Sequence, residues 1–83
     1  MNKICINLYV PALESSYNVF VPENQNVKLV IISLNKLVHE LSFKYFPITN
    51  DLSLVDATTG NIFDINKTVK ENNILNNSTL ILM

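Results

Sequence analysis

The sequence predicts an α+β domain in which a small mixed sheet is folded across one main helix. Three observations predict it. Apolar residues at Val27, Val30, Ile31, Leu34, Val38 and Leu41 repeat at i, i+3, i+4 and i+7, with Leu37 at the edge of the stripe. That spacing is one face of a helix of period 3.6. Before the helix, residues 3–10 and 17–21 alternate between apolar and other side chains, the period of a half-buried strand. After it come only short apolar runs separated by turn residues.

The first strand turns Ile4, Ile6, Leu8 and Val10 one way and Lys3, Cys5, Asn7 and Tyr9 the other. Pro11 to Ser16 break the alternation as a loop. Tyr17, Val19 and Val21 resume it, with Asn18 and Phe20 opposite. Pro22 has no N–H for a ladder and is expected to end this second strand. A polar connection, Glu23 to Asn26, leads to the helix, and Asn26 is placed to cap it. The outer helix face carries Lys28, Lys36, His39 and Glu40, and also Leu29 and Ile32. Pro47 forbids continuation, and Phe43, Tyr45, Phe46 and Ile48 are expected to tuck under the helix end as packing.

Leu52 to Val55 read as a third strand, and Asp56 to Asn61 as a turn. Gly60, the only glycine, is expected at a positive φ. Ile62 and Phe63 form a short fourth strand, and Asp64 to Lys67 turn the chain again. Thr68 with Glu71 three residues on is a capping box, which predicts one helical turn from Val69 to Asn72. Ile74 points to the core, Asn76 and Asn77 make a tight turn, and residues 79–83 form the last strand. In that strand Leu80 and Leu82 face inward and Ile81 and Met83 outward. No repeat, linker or low-complexity tract divides the chain, so residues 1–83 read as a single domain with a four- to five-stranded sheet.

At 83 residues the chain is near the lower limit for one unstapled core. Its apolar fraction of 48% offsets that. Charged residues are 16%, against an average of about 25%. So apolar a chain leaves some of that surface in water, where a large patch marks a partner site. The net charge is −1 and no basic stretch exists, which argues against nucleic acid. One cysteine allows no internal disulfide, and a cytoplasmic location is expected. Residues 4–10 alternate and meet Pro11, unlike a signal peptide. No apolar stretch approaches the roughly 18 residues of a membrane span, so no membrane insertion is expected. The abundance of Asn, Ile, Leu and Lys hints at an AT-rich genome.

The order strand, strand, helix, strand, short strand, helical turn, strand is that of the β-grasp, in which the last strand lies beside the first and parallel to it. Residues 67–82 resemble ubiquitin without a gap. They share Thr68 of the cap, Asn73-Ile74 after the helical turn, and Ser78-Thr79-Leu80-x-Leu82 of the final strand. The spacing from Val21-Pro22 to Val27 also looks like ubiquitin's. The resemblance covers nearly the whole chain, with insertions before the third strand and in the turn after it.

Within that group the chain resembles the small YukD/EsaB family in length and in pattern: apolar strand, aromatic-rich hairpin, long helix, then the hairpin from Val55 to Phe63. The connection from Phe43 to Pro47 departs from the family pattern. The resemblance implies a cytosolic accessory or regulatory component of type VII secretion in a Gram-positive bacterium.

Little chemistry is on offer. Conjugation and sulfur carriage need a flexible Gly-Gly tail; the sequence stops at Met83 and its glycine is Gly60, so neither is expected. Cys5 faces out from the sheet and His39 from the helix, which keeps them from forming a nucleophilic dyad. One His and one Cys do not supply a metal site. Asp51, Asp56 and Asp64 suit turns, and one glycine makes no phosphate-cradling loop. No enzyme activity, catalytic residue or cofactor is therefore expected.

What remains is surface. The outer sheet face is expected to carry Cys5, Ile81, Met83 and Val55, flanked by Tyr9 and Phe20. A solvated face should be polar, and this one is apolar. Ubiquitin binds partners on the same face, so the resemblance implies a protein-binding surface. It would take a partner such as a secretion-machinery component, or a second copy in a homodimer. Ordinary scatter of exposed apolar residues is the competing reading. Leu29 and Ile32 are a second candidate, unless the hairpin loop or the aromatic connection covers them. A function of another class is also open: a small non-catalytic β-grasp subunit of a multicomponent enzyme complex, as in some oxygenases.

Overall fold

The computed structural model describes residues 2–83. Strand β1 is Lys3–Val10, β2 is Ser15–Pro22, helix α1 is Val27–Leu41, β3 is Leu54–Asp56 and β4 is Thr79–Leu82. The sheet order is β2-β1-β4-β3. β1 runs antiparallel to β2 and parallel to β4, and β3 is antiparallel to β4. This is the β-grasp arrangement, with one α-helix across a mixed sheet of four strands among the described residues.

The sheet's inner face and the helix stripe meet in one core. Ile6, Leu8 and Val10 of β1, Leu80 and Leu82 of β4 and Leu54 of β3 are fully or almost fully buried. From α1 the core takes Val27, Val30, Ile31, Leu34 and Val38, but not Leu41, which is exposed. Val69 and Ile74 close it from the long connection between β3 and β4.

Several local expectations need correction. β2 does end at Pro22, as expected, but Pro22 is itself a rung of the ladder: it pairs with Lys3, and the next N–H, of Glu23, donates to Asn2 O at 3.0 Å. Pro22 therefore occupies a non-hydrogen-bonded position on an edge strand, where a missing N–H costs nothing. The loop from Pro11 holds a short 3-10 turn, Pro11–Leu13, and β2 resumes at Ser15. Strand β3 is shifted to Leu54–Asp56, and Ile62 contributes a single bridge to Val55, not a strand. The capping box forms in full. Thr68 N donates to Glu71 Oε1 (2.9 Å) and Glu71 N to Thr68 Oγ1 (3.0 Å). The bond to the Thr68 backbone holds the Glu71 carboxyl below the usual glutamate range, helped by the Thr68 hydroxyl. The box opens a hydrogen-bonded turn, with Asn72 N donating to Thr68 O at 3.0 Å.

The aromatic connection behaves differently from expectation. Only Phe46 is buried; Phe43, Tyr45 and Ile48 are exposed. The cause is the way α1 stops. Lys44 N donates to His39 O (2.7 Å) and Phe43 N to Glu40 O (3.1 Å). These nested bonds make a Schellman motif, whose C′ residue sits in the left-handed region, usually as glycine. Here that residue is Phe43, at φ 54. The chain then folds back, with Phe46 N donating to Ser42 Oγ (2.9 Å) and Phe46 O accepting from His39 Nδ1 (2.7 Å), and this delivers Phe46 inward. The Phe43 ring is 94% exposed, so it packs on nothing that would repay the strain. Phe43→Gly is expected to raise stability by about 1 kcal/mol, read as a later urea midpoint. An earlier midpoint would mean that the ring has a contact the strain serves.

Candidate functional site

The strand register fixes which side chains share the outer face. Successive residues of a strand alternate between faces, so the odd-numbered residues of β1 look away from the helix. Tyr9 lies beside Ser16 of β2 on one side and Ile81 of β4 on the other. Ile81 in turn pairs with Val55 of β3, and Val55 bridges to Ile62. Tyr9, Ile81, Val55 and Ile62 thus form one apolar row across three strands and beyond the sheet edge. Neighbours across such a row stand about 5 Å apart. Tyr9, Val55 and Ile81 are half-buried, whereas Ile62 is 68% exposed. Met83 lies two residues beyond Ile81 on the same face and is 60% exposed. Its backbone exchanges hydrogen bonds with Ser53, at 2.7 and 3.1 Å.

The other two expected residues stand apart. Cys5 pairs with Phe20, and between that pair and the row lies a polar line of Asn18, Asn7 and Thr79. Of the six, the fold therefore brings together Tyr9, Val55, Ile81 and Met83, and leaves Cys5 with Phe20 as a separate spot. Phe20 is 71% exposed beside the half-buried Cys5. The Cys5 backbone is engaged: its N–H donates to Asn76 Oδ1 (2.8 Å) and its carbonyl accepts from Asn77 N (2.6 Å). Asn76 continues the ladder with its side chain where β4 has not yet begun.

Ile62 is the residue that sequence alone did not place on this face, although the signal for it was present. Phe63 N donates to Leu54 O at 3.0 Å, and the Phe63 ring packs against the core. Once Phe63 is assigned inward, alternation sends Ile62 outward, next to Val55. The turn that sets this register has Gly60 at φ 78.

Cys5 and His39 lie on opposite sides of the sheet. His39 is on α1, which lies across the inner face of the sheet, and its Nδ1 is engaged by Phe46 O. Leu29 and Ile32 are 51% and 45% exposed, so neither the hairpin loop nor the aromatic connection covers them. No helix among the described residues is long and apolar enough to cross a membrane.

No family model matches the chain, and no curated protein matches it significantly. Solved structures match it well. The ubiquitin-like domain of the type VII secretion system protein ECCD1 of Mycobacterium tuberculosis superposes with a TM-score of 0.80 at 10% identity, covering 100% of this chain and 99% of that one. The EccD5 ubiquitin-like domain of Mycobacterium xenopi gives 0.82 at 13% identity, covering 100% and 94%. A chain of a toluene 4-monooxygenase HD complex gives 0.78 at 11% identity, covering 98% and 96%. At these identities the likeness is one of fold. Strand order, register and these superpositions agree: the chain has the ubiquitin-like β-grasp fold.

Proposed function

We propose that this chain is a non-enzymatic protein-interaction module that docks its partner on the row of Tyr9, Ile81, Val55 and Ile62. We further propose that it serves as a cytosolic accessory or regulatory component of type VII secretion, as the YukD/EsaB proteins it resembles do. The observation that carries the docking reading is the row itself. A contiguous apolar line on the solvent side of a sheet exposes surface that water disfavours and a partner would cover. Ubiquitin-like domains of type VII secretion proteins share the fold along the whole chain, which supports the setting.

A second reading has its own support. A chain of a multicomponent monooxygenase complex shares the fold over almost its entire length. A non-catalytic subunit of such a complex would bury the same face permanently.

Affinity capture from native lysate separates the readings. Tagged wild type is expected to retain secretion-machinery proteins. The double variant Ile62→Asp/Ile81→Thr, with its fold checked by circular dichroism, is expected to lose at least about tenfold of that binding. Equal recovery by both would remove the row as the docking surface. An enzyme complex recovered in fixed stoichiometry would put the subunit reading in its place.

A further inference from the structure

A second surface carries a different chemistry. A groove of about 440 Å³ runs between α1 and the segment that leads into β3. One wall is the helix row Lys28, Ile32 and Lys36, spaced i, i+4 and i+8. The two lysines therefore lie at opposite ends of the groove, about 12 Å apart at 1.5 Å per residue, with Ile32 between them. The facing wall presents Ile48 and Leu52, and Ile65 closes the end beside Lys28. Ile32, Ile48 and Ile65 are 45%, 58% and 42% exposed. Both charges that line the groove are positive and no carboxylate lines it among the described residues, although the chain as a whole carries −1.

The groove is held open by side-chain bonds. Asn35, buried at its floor, donates through Nδ2 to Pro47 O and accepts from Thr49 N through Oδ1, both at 2.9 Å. Asp51 N donates to Thr49 Oγ1 at 3.2 Å. The closed end is fixed by backbone: Lys28 N donates to Ile65 O (3.2 Å) and Val27 N to Lys67 O (2.9 Å). A wall already ordered in the free protein need not be ordered on binding.

We propose that this groove docks an extended acidic segment of a partner protein, with the pattern carboxylate, any, apolar, any, carboxylate. The geometry selects it. In an extended chain residues i, i+2 and i+4 face one side and span about 13 Å, which matches the lysine spacing. Its apolar side chain meets Ile32 and Ile48, and its two carboxylates meet Lys28 and Lys36. This surface shares no residue with the outer sheet row, so the two proposals stand or fall separately.

The test is fluorescence anisotropy with a dye-labelled peptide, Ser-Glu-Thr-Ile-Thr-Glu-Ser, and its counterpart with Lys for Glu. The wild type is expected to bind the acidic peptide and not the basic one, and to lose affinity between about 20 mM and 300 mM salt. Lys28→Glu/Lys36→Glu changes exposed side chains only. It is expected to weaken the acidic peptide by about tenfold or more and to gain binding of the basic one. Ile32→Ser weakens both proteins' binding to their preferred peptide, and Ile62→Asp changes neither. Equal binding of the two peptides by wild type, or none of either, overturns the proposal. So does a self-association in sedimentation that the lysine reversals abolish, because the occupant would then be a second copy.

Discussion

Leu8→Ala is expected to lower the stability of this domain by about 3–4 kcal/mol. Leu8 has no exposed surface and lies in the central strand β1, next to Tyr17 of β2 and Leu80 of β4. Truncation leaves a cavity between sheet and helix that neighbours in two strands cannot fill without breaking ladder bonds. A domain of 83 residues has roughly 4–12 kcal/mol in total at ordinary stability per residue, so one methyl cluster is a large share. Urea unfolding at 25 °C reads the change, with exposed Leu29→Ala as a control expected to stay within about 0.5 kcal/mol. A loss under about 1 kcal/mol at Leu8 would place it outside a close-packed core.

Asn35→Ala is expected to cost about 2–3 kcal/mol, although it removes little apolar area. Asn35 is 3% exposed, and it satisfies a carbonyl and an N–H of the segment that Pro47 opens. Without it both backbone groups lose their partner, and the segment from Pro47 to Leu52 detaches from α1. Asn35→Asp sharpens the test. A protonated carboxyl can donate to Pro47 O and accept from Thr49 N, as the amide does. A carboxylate cannot donate, and burial disfavours its charge, so the folded-state pKa of Asp at this site is raised above its unfolded value. A raised pKa means stability that is present at low pH and lost as pH rises through the folded value. The gap between Asn35→Asp and wild type should therefore be smaller at pH 4 than at pH 7. A gap that does not change with pH would mean that the site is open to water.

The parts of this fold that rest on periodicity were legible in the sequence. The α1 stripe, the alternation of β1 and the inward set Leu80 and Leu82 each need only one local pattern. The parts that depend on capping geometry were not. Phe43 occupies a place where glycine would have signalled a Schellman stop, so the connection read as an aromatic cluster packed under the helix. Asn35 sits in the middle of a helix and gives no local hint that its amide clamps a segment twelve and fourteen residues away. The outer face was half legible. Tyr9, Val55 and Ile81 come from alternation within each strand. The polar line that detaches Cys5 and Phe20, and the addition of Ile62, depend on register between strands, which no single strand encodes.

The proposed docking surface is the outer sheet row of Tyr9, Ile81, Val55 and Ile62. The most direct test tracks the isoleucine methyl groups by NMR in a selectively labelled sample, titrated with the protein that wild type captures. Ile62 and Ile81 report on the row, Ile32, Ile48 and Ile65 on the groove, and Ile6 and Ile74 on the core. The Ile62 and Ile81 signals are expected to shift or broaden while those of Ile6 and Ile74 hold. If Ile62 and Ile81 stay fixed at saturating partner, the partner binds elsewhere and the row is not its docking surface.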